Sequence, residues 1–208
     1  MQFGPTIIKK CSECSGLIKE HTIMSGNTFG AIFWTDGKRD APMLPDFPWL
    51  VKCPHCKSLI WIDEQEEVGE IEPYIDSVTY KDAKSYSEPE LQDYFAELKI
   101  SNLGRKKERY IRRRAWWKGN DKRRGTNIKQ NLSDEERKNL QALDKMLDPS
   151  DDNDRIMTAE IKRELGQFED AEAILQEPFV NDFSQAISIL KELIQRGEPF
   201  VAEMKFEK

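Results

Sequence analysis

The residues with the clearest chemical potential are four cysteines, which occur in two pairs. Cys11-Ser-Glu-Cys14 and Cys53-Pro-His-Cys56 share the C-x-x-C spacing, contain every cysteine of the chain, and are separated by 38 residues. A C-x-x-C turn presents two sulfurs to a single ion, and zinc prefers a tetrahedral set of thiolates. We therefore predict that Cys11, Cys14, Cys53 and Cys56 bind one metal ion.

Four cysteine ligands would fill the coordination shell of that ion. A catalytic zinc ion usually keeps an open position beside three protein ligands, so the predicted site is structural. The chain has only two histidines, and we expect His55, which lies inside the second pair, to stand beside the ligands rather than among them. The sequence contains no phosphate loop or nucleophile elbow. We predict no catalytic residues and a function that is not enzymatic.

Residues 8–62 resemble the zinc-ribbon family. Each C-x-x-C pair leads into a strand-like run, and the second pair has the C-P-x-C form that is common in that family. The first pair lacks the proline, and Ser15 and Lys57 stand where many ribbons have a glycine directly after the second cysteine. The resemblance implies a small β-rich module that holds a structural Zn²⁺ through four thiolates.

Three other interpretations of the cysteines stay open. Iron in a rubredoxin-like site uses the same four ligands. The tetrapeptide Cys53-Pro-His-Cys56 also resembles the active-site motif of periplasmic thiol–disulfide oxidoreductases. Against that resemblance stand the second C-x-x-C pair, the strand-like run after Cys56 and the missing βαβ order. The last interpretation is four buried thiols without any ligand.

Composition favours a small metal-held module joined to amphipathic helices. Of the 208 residues, 38% are hydrophobic and 34% are charged, so the surface is large relative to the core. A net charge of −6 argues against a protein that coats nucleic acid with its whole surface. The first residues lack the apolar core of a signal peptide, and no window approaches the ~20 apolar residues of a membrane helix. We therefore expect a cytoplasmic protein without membrane contact, where paired thiols more often bind metal than form disulfides.

The N-terminal part of the sequence predicts strands. Alternation is clearest over 28–35, a second run covers 59–62, and a weaker one covers 17–23. Residues 63–72 carry six carboxylates, which we interpret as a solvated strand exit and a linker. The predicted first domain is accordingly a zinc-ribbon-like domain over 1–75 with an acidic exit segment.

From residue 87 the hydrophobic period becomes helical. Ser87 with Glu90 predicts a capping box that opens a helix closed near Asn102 and Gly104. Ser133 with Glu136 predicts a second capping box. Further helices are expected over about 105–118, from Asp151 to Gly166, over 168–176, and up to Gly197. The second predicted domain is therefore a helical domain of about six helices over 76–208, and the fold class is α+β.

Residues 155–175 resemble one tetratricopeptide repeat. Small Ala159 and Ala171 allow two helices to approach closely, and Gly166 permits a tight turn between them. The resemblance implies a helical hairpin of the kind used for protein contacts, while an ordinary helical bundle stays open as the alternative. We therefore predict a zinc-binding adaptor that docks a protein partner, whose identity the sequence does not give.

The alternative function is nucleic-acid binding through the zinc ribbon together with a basic helical stretch. Residues 105–124 hold eleven Lys or Arg and two acids, a net charge of +9 within a chain of −6. Basic residues interleaved with aromatics can bind phosphates and stack bases. The opposing interpretation places the apolar residues of this stretch in the core and pairs its arginines with neighbouring acids. The candidate nucleic-acid contacts are Arg112, Arg113, Arg114, Trp116, Lys118, Lys122, Arg123 and Arg124.

Overall fold

A computed structural model describes residues 1–75, 78–100, 103–126 and 129–206. The fold is α+β, with small sheets and six helices in these ranges. The chain divides into two compact units. The N-terminal unit comprises Met1–Ala31 and Ala41–Asp93, and the helical unit comprises Ile32–Asp40 and Tyr94–Lys208. The predicted domain boundary after residue 75 stays a prediction.

The strands are short, and most of them belong to the N-terminal unit. They are β1 (Gln2–Phe3), β2 (Thr6–Lys10), β3 (Leu17–Glu20), β4 (Ile23–Ser25), β5 (Ile32–Phe33), β6 (Arg39–Asp40), β7 (Leu50–Lys52), β8 (Leu59–Trp61), β9 (Glu66–Ile71) and β10 (Lys84–Ser85). The helices are α1 (Leu91–Glu97), α2 (Arg105–Asp121), α3 (Asp134–Asp144), α4 (Asp152–Glu164), α5 (Phe168–Gln176) and α6 (Ser184–Gln195). No helix in the described ranges is long and apolar enough to span a bilayer.

The largest sheet of the N-terminal unit has the order β10-β3-β2-β9. Strand β2 pairs antiparallel with β3 and with β9, whereas β10 pairs parallel with β3. The prediction of a solvated linker over 63–72 is therefore wrong for Glu66–Ile71, which is an edge strand. Its acidic side chains face lysines of β2: Lys10 lies 3.3 Å from Glu66 and Lys9 lies 3.5 Å from Glu67. Such cross-strand ion pairs help to stabilise a strand whose sequence is poor in apolar residues.

The core of the N-terminal unit includes two of the cysteines. Cys11 and Cys53 are buried together with four aliphatic side chains, and the ring of Tyr86 packs against this cluster. The aliphatic members are Ile18, Val51, Ile60 and Ile62.

The strand predicted over 28–35 is mostly wrong, because only Ile32–Phe33 forms a strand. Residues 28–31 make a turn in which Ala31 N donates to Thr28 O, and Gly30 has a φ of 72°. Strand β5 forms a hairpin with β6 and belongs to the helical unit. There Thr35 N donates to Ala202 O at 2.9 Å, so the hairpin also pairs with the C-terminal segment.

The predicted helix starts are confirmed where a capping side chain bonds the first turn. Ser133 Oγ accepts from Glu136 N, and the Glu136 carboxylate accepts from Ser133 N at 2.7 Å, which completes the predicted capping box of α3. Asp151 caps α4 by accepting from Asp154 N at 2.9 Å. These local bonds satisfy amide groups that a helix N-terminus otherwise leaves without partners.

The capping box predicted at Ser87 and Glu90 is wrong. Helix α1 begins at Leu91, and Ser87 forms a backbone bridge with Lys52 of β7, with N–O distances of 2.9 and 3.3 Å. A long-range backbone pair has therefore replaced the local cap. The predicted end of this helix at Asn102 lies outside the described residues, and α1 ends at Glu97.

Among its described residues, the helical unit buries an apolar cluster between α2, α3 and α4 and a second one between α4, α5 and α6. The cluster between α4, α5 and α6, here called the second cluster, contains Ala159 of α4 and Ala171 of α5, which are 1% and 0% exposed. Gly166, at a φ of 80°, turns the chain between these two helices. The first cluster comprises Trp116, Leu140, Leu143, Leu147 and Ile161, and the second adds Leu175, Leu190 and Ile194 to the two alanines.

Candidate metal centre

Two β-hairpins carry the four cysteines. Cys11 and Cys14 lie in the turn between β2 and β3, and Cys53 and Cys56 lie in the turn between β7 and β8. The strands on either side fix each turn, so the sulfurs of each pair are positioned by paired backbone rather than by a free loop.

The two turns have the same backbone hydrogen bonds. In each turn, the first cysteine donates its N–H to the carbonyl five residues later and accepts at its own carbonyl from the residue four positions later. The distances are 3.0 Å for Cys11 N to Gly16 O, 2.8 Å for Ser15 N to Cys11 O, 2.9 Å for Cys53 N to Ser58 O and 3.0 Å for Lys57 N to Cys53 O. The two C-x-x-C pairs therefore form the same hydrogen-bonded turn.

Both turns end in a left-handed residue that is not glycine. Ser15 has a φ of 62° and Lys57 has a φ of 67°. These are the positions at which the sequence departs from the many ribbons with a glycine. The backbone keeps the conformation that glycine favours, at a cost of roughly 1 kcal/mol for each side chain.

The four sulfurs converge on one point. All four lie within 4.8 Å of one another, with 3.9 Å between Cys11 and Cys56 and 3.8 Å between Cys14 and Cys53. A tetrahedral zinc ion with Zn–S bonds of about 2.3 Å separates its sulfurs by about 3.8 Å. A disulfide would need about 2.05 Å. The quartet therefore has the dimensions of a metal site and could hold an ion.

The cluster has a buried side and an exposed side. Cys11 and Cys53 are 1% and 0% exposed, whereas Cys14 and Cys56 are exposed. Burial raises the pKa of the Cys11 thiol to about 12. Hydrogen bonds with the side chain and backbone of Ser58 lower the pKa of Cys56 to about 6. A bound cation favours the thiolate form of every ligand, including the buried ones.

Two side chains outside the quartet hold the turns in place. His55, in the second turn, donates from Nε2 to Leu17 O at 2.9 Å. Its ring lies against Gly16, where a Cβ atom would come within 2.5 Å of the ring. Gln65 accepts from Ser12 N at 2.8 Å. His55 thus lies beside the four cysteines and links the two turns, whereas no pattern in the sequence pointed to Gln65.

The structure spreads the eight candidate nucleic-acid contacts over buried and exposed positions of α2 and the turn after it. Three of them have at most 8% of their surface exposed, which leaves little area for a ligand. Arg114, Trp116 and Arg123 are buried, Arg112, Arg113, Lys118 and Arg124 are half-buried, and Lys122 is exposed.

Several of these side chains bind other parts of the helical unit. Arg123 makes a bidentate pair with Glu136, at 2.9 and 3.1 Å, and Arg124 makes a bidentate pair with Asp36. Arg112 lies 2.7 Å from Glu108. This arrangement is the internal pairing that the opposing interpretation of the basic stretch describes. Nucleic-acid binding by the stretch stays a prediction.

A buried polar network was missed by the sequence analysis. Asn120 Nδ2 donates to Asp36 Oδ2 at 3.0 Å and to Glu164 Oε1 at 2.9 Å, and Trp116 Nε1 donates to Glu164 Oε2 at 2.9 Å. Burial, and then the nearby charges of Glu160 and Asp36, raise the pKa of Glu164 well above its usual value. Asp36 and Asn120 are 84 residues apart, and no local pattern could have connected them.

Comparison with known proteins does not assign the chain to a family. No protein-family model, no curated protein and no solved structure matches it. The chemistry of the cysteine cluster therefore has to be argued from its own atoms. The ligand set, the sulfur distances and the two equivalent turns carry that argument.

Proposed function

We propose that the four cysteines bind one Zn²⁺ as a structural site and that this protein is a non-catalytic adaptor. The observation that carries the zinc assignment is the convergence of four sulfurs within 4.8 Å on two equivalent turns. Four thiolates suit zinc and complete its tetrahedral shell, which leaves no position for a catalytic water. Bound zinc would supply folding free energy to the N-terminal unit.

The surrounding structure supports a zinc-ribbon assignment for this unit. In a ribbon, each pair of cysteines lies at the turn of a β-hairpin, and β2–β3 and β7–β8 are two such hairpins. The left-handed residues at Ser15 and Lys57 supply the conformation for which many ribbons use glycine. Iron remains the competing metal, because it accepts the same ligands.

Metal analysis of the purified chain tests the zinc proposal. We expect about one zinc per chain, and we expect Cys53→Ser to lose the metal and to remove hydrogen-exchange protection from β2, β3, β7 and β8. Ser12→Ala is the matched control, since it changes a turn residue whose side chain is not a ligand. Iron in place of zinc would overturn the metal assignment. A chain that stays fully folded without any metal would overturn the structural role.

The helical unit supplies the adaptor part of the proposal. Helices α4 and α5 form a hairpin with buried alanines at their contact, which supports a tetratricopeptide-like arrangement. The loop after α5 is held by Asp152, whose Oδ2 accepts from Val180 N and Asn181 N at 2.8 Å each. This fixed loop leaves Val180 96% exposed. An ordered apolar residue in solvent is suited to docking a protein partner, because little flexibility is lost on binding.

Affinity capture with matched variants tests the adaptor role. We expect a specific protein to be retained by the wild-type chain and by Ser188→Asp, and to be lost with Val180→Asp. Ser188 is an exposed residue of α6, so its variant adds the same charge to a neighbouring surface. Failure of the zinc-loaded wild-type chain to retain any protein would contradict the adaptor role while leaving the zinc proposal intact.

A further inference from the structure

One face of the four-stranded sheet in the N-terminal unit forms the floor of a large cavity. Thr6 of β2 is paired with Ile71 of β9, and Ile8 of β2 is paired with Lys19 of β3. Because side chains alternate along a strand, Thr6, Ile71, Lys19 and the next-but-one residue His21 share this face. The cavity above them has a volume of about 550 Å³, within the range of small-molecule sites in proteins.

The walls of the cavity are fixed by close packing. Tyr80 lies over Gly69, where a Cβ atom would come within 1.9 Å of the tyrosine oxygen, and its hydroxyl donates to Val68 O at 3.0 Å. On the other wall, Thr22 donates to Pro5 O at 2.7 Å. Both Tyr80 and Thr22 line the cavity. Its shape is therefore set by backbone contacts and does not depend on mobile side chains alone.

Two lysines line this cavity although the N-terminal unit has a net negative charge. The unit has seven lysines and no arginine against fourteen Asp or Glu, a net charge of −7. Lys9, Lys10 and Lys52 pair with carboxylates. Lys19 and Lys81 line the cavity, and the described part of the chain places no carboxylate within ion-pair distance of either. A ligand with negative charge would supply the missing partner.

A histidine adds a polar group to the same floor. His21 Nε2 lies 3.1 Å from Ser85 Oγ, and its Nδ1 lies 3.4 Å from Thr6 Oγ1, so the ring is held between two hydroxyls. The carboxylate of Glu72 also lines the cavity. The lining thus offers cations for an anion together with an acceptor for a neutral N–H or O–H group.

Aromatic rings complete the lining. Phe3 and Tyr74 meet edge to face, with ring centroids 6.2 Å apart, and both line the cavity. Tyr74 is 87% exposed and has a φ of 65°, which is costly for a tyrosine and is not compensated by burial of its ring. An exposed aromatic face beside lysines is the combination that stacks a base and binds its phosphate.

We propose that this cavity binds a nucleotide, with Lys19 and Lys81 on the phosphate and Tyr74 on the base. The site lies in the N-terminal unit and does not use the basic stretch of α2. It goes beyond the adaptor function and would make the protein responsive to a nucleotide. The same chemistry is offered by a free nucleotide and by a nucleotide within single-stranded RNA, and the two sources are separated by experiment.

Calorimetric titration of the zinc-loaded chain with adenosine monophosphate tests the proposal. We expect saturable binding, weakened about tenfold or more in Lys19→Ala/Lys81→Ala. Lys84→Ala is the matched control. Lys84 likewise has no carboxylate partner among the residues that the structure describes, but its pairing with Ile18 places it on the opposite face of the sheet. We expect its affinity to stay within about twofold of the wild type. Zinc content and thermal unfolding show whether each variant is folded.

Three further titrations separate the parts of the ligand. Tyr74→Ala should weaken adenosine monophosphate binding but leave the binding of inorganic phosphate unchanged. A short single-stranded RNA that binds more tightly than the mononucleotide, and competes with it, identifies nucleic acid as the source; the reverse order identifies a free nucleotide. The proposal would be overturned if neither adenosine monophosphate nor the RNA bound saturably. It would also be overturned if Lys84→Ala weakened nucleotide binding as much as Lys19→Ala/Lys81→Ala does. We expect the zinc content to be the same whether or not the nucleotide binds, so the metal assignment is tested separately from this proposal.

Discussion

The basic helix α2 and the acidic N-terminal unit differ in how their basic side chains are paired with carboxylates. Helix α2 and the turn after it have the highest density of Lys and Arg in the sequence, yet Arg109, Arg123 and Arg124 pair with Asp154, Glu136 and Asp36. The N-terminal unit has a net charge of −7, yet Lys19 and Lys81 lie at a cavity where the described residues offer them no such partners. The charge that a ligand meets is the charge left after internal pairing, and it does not follow the local count of basic residues.

The pair between Arg124 and Asp36 is buried within the helical unit. The side chains of Arg124 and Asp36 are 6% and 0% exposed. A buried pair of this kind contributes little in comparison with apolar residues of the same size, but loss of one partner leaves a charge in a medium that solvates it poorly. Removing single partners is therefore the sharpest way to test the contrast between the two regions.

The largest expected effect is that of Asp36→Ala. This substitution leaves the Arg124 guanidinium and the Asn120 amide without their shared carboxylate. We expect the free energy of unfolding of the helical unit to fall by about 3–5 kcal/mol. Urea unfolding followed by tryptophan fluorescence measures the change, since Trp34, Trp116 and Trp117 all belong to this unit.

Two further variants show whether that loss comes from the buried pair. Glu192→Ala removes the exposed pair with Arg196 and should cost no more than about 1 kcal/mol. Asp36→Ala combined with Arg124→Leu should recover part of the lost stability, because the uncompensated charge is gone. If Asp36→Ala instead left stability unchanged and increased RNA affinity, α2 would be a nucleic-acid surface and the contrast would fail.

An intermediate effect is expected for Glu164→Gln, and it depends on pH. The pKa of Glu164 in the folded chain is raised by burial and by Glu160 and Asp36, so the stability linked to its proton is present below about pH 4.3 and is lost as pH rises through the raised pKa. Glutamine does not ionise. The variant should therefore gain stability relative to the wild type with rising pH, by about 1.4 kcal/mol for each unit of pKa shift.

Urea unfolding of both proteins across a pH series gives the test of this sign. The difference in free energy of unfolding between Glu164→Gln and the wild type should be smallest in acid and should increase towards alkaline pH. A difference that is constant with pH would show that the pKa of Glu164 is not raised in the folded chain. The Glu164 carboxyl would then lose its proton in the pH range usual for glutamate.

The smallest expected effect lies in the cysteine turns. Ser15→Gly and Lys57→Gly should each stabilise the zinc-loaded N-terminal unit by about 0.5–1 kcal/mol, because glycine adopts a positive φ without steric cost. Thermal unfolding measures the gain. Ser12→Gly is the control within the same turn: its φ is not positive, so the extra freedom of glycine in the unfolded chain should lower stability. Destabilisation by all three would contradict the strained-turn interpretation.

The helices of the fold were predictable because their signals are local. Capping by Ser133 and Asp151, and the turn at Gly166, depend on residues within one helical turn. The strand Glu66–Ile71 was not predictable, since its partner β2 lies more than fifty residues away and its stabilising lysines cannot be assigned from spacing. The false capping box at Ser87 has the same cause, because Lys52 competes for its backbone.

The functional sites show the same difference between local and long-range signals. Cys11, Cys14, Cys53 and Cys56 were all identified from spacing, because C-x-x-C is a local geometry that is repeated once. The cavity above the sheet was not, since Lys19 and Lys81 are ordinary lysines until the strands bring them to one place. Chemistry that depends on special residue types is visible in a sequence, and chemistry that depends on common residues left without partners is not.

The hairpin segment Ile32–Asp40 has a consequence for the order of folding during synthesis. Thr35 bonds Ala202, 167 residues further along the chain, so this segment leaves the ribosome long before its partner exists. The N-terminal unit ends at Asp93, so all of its residues are made well before Ala202. The backbone pairing of Thr35 in the helical unit can form only after Ala202 has left the ribosome. Contacts of such long separation slow folding, so we expect the pairing of this hairpin with the segment around Ala202 to form later than the local turns of the hairpin itself.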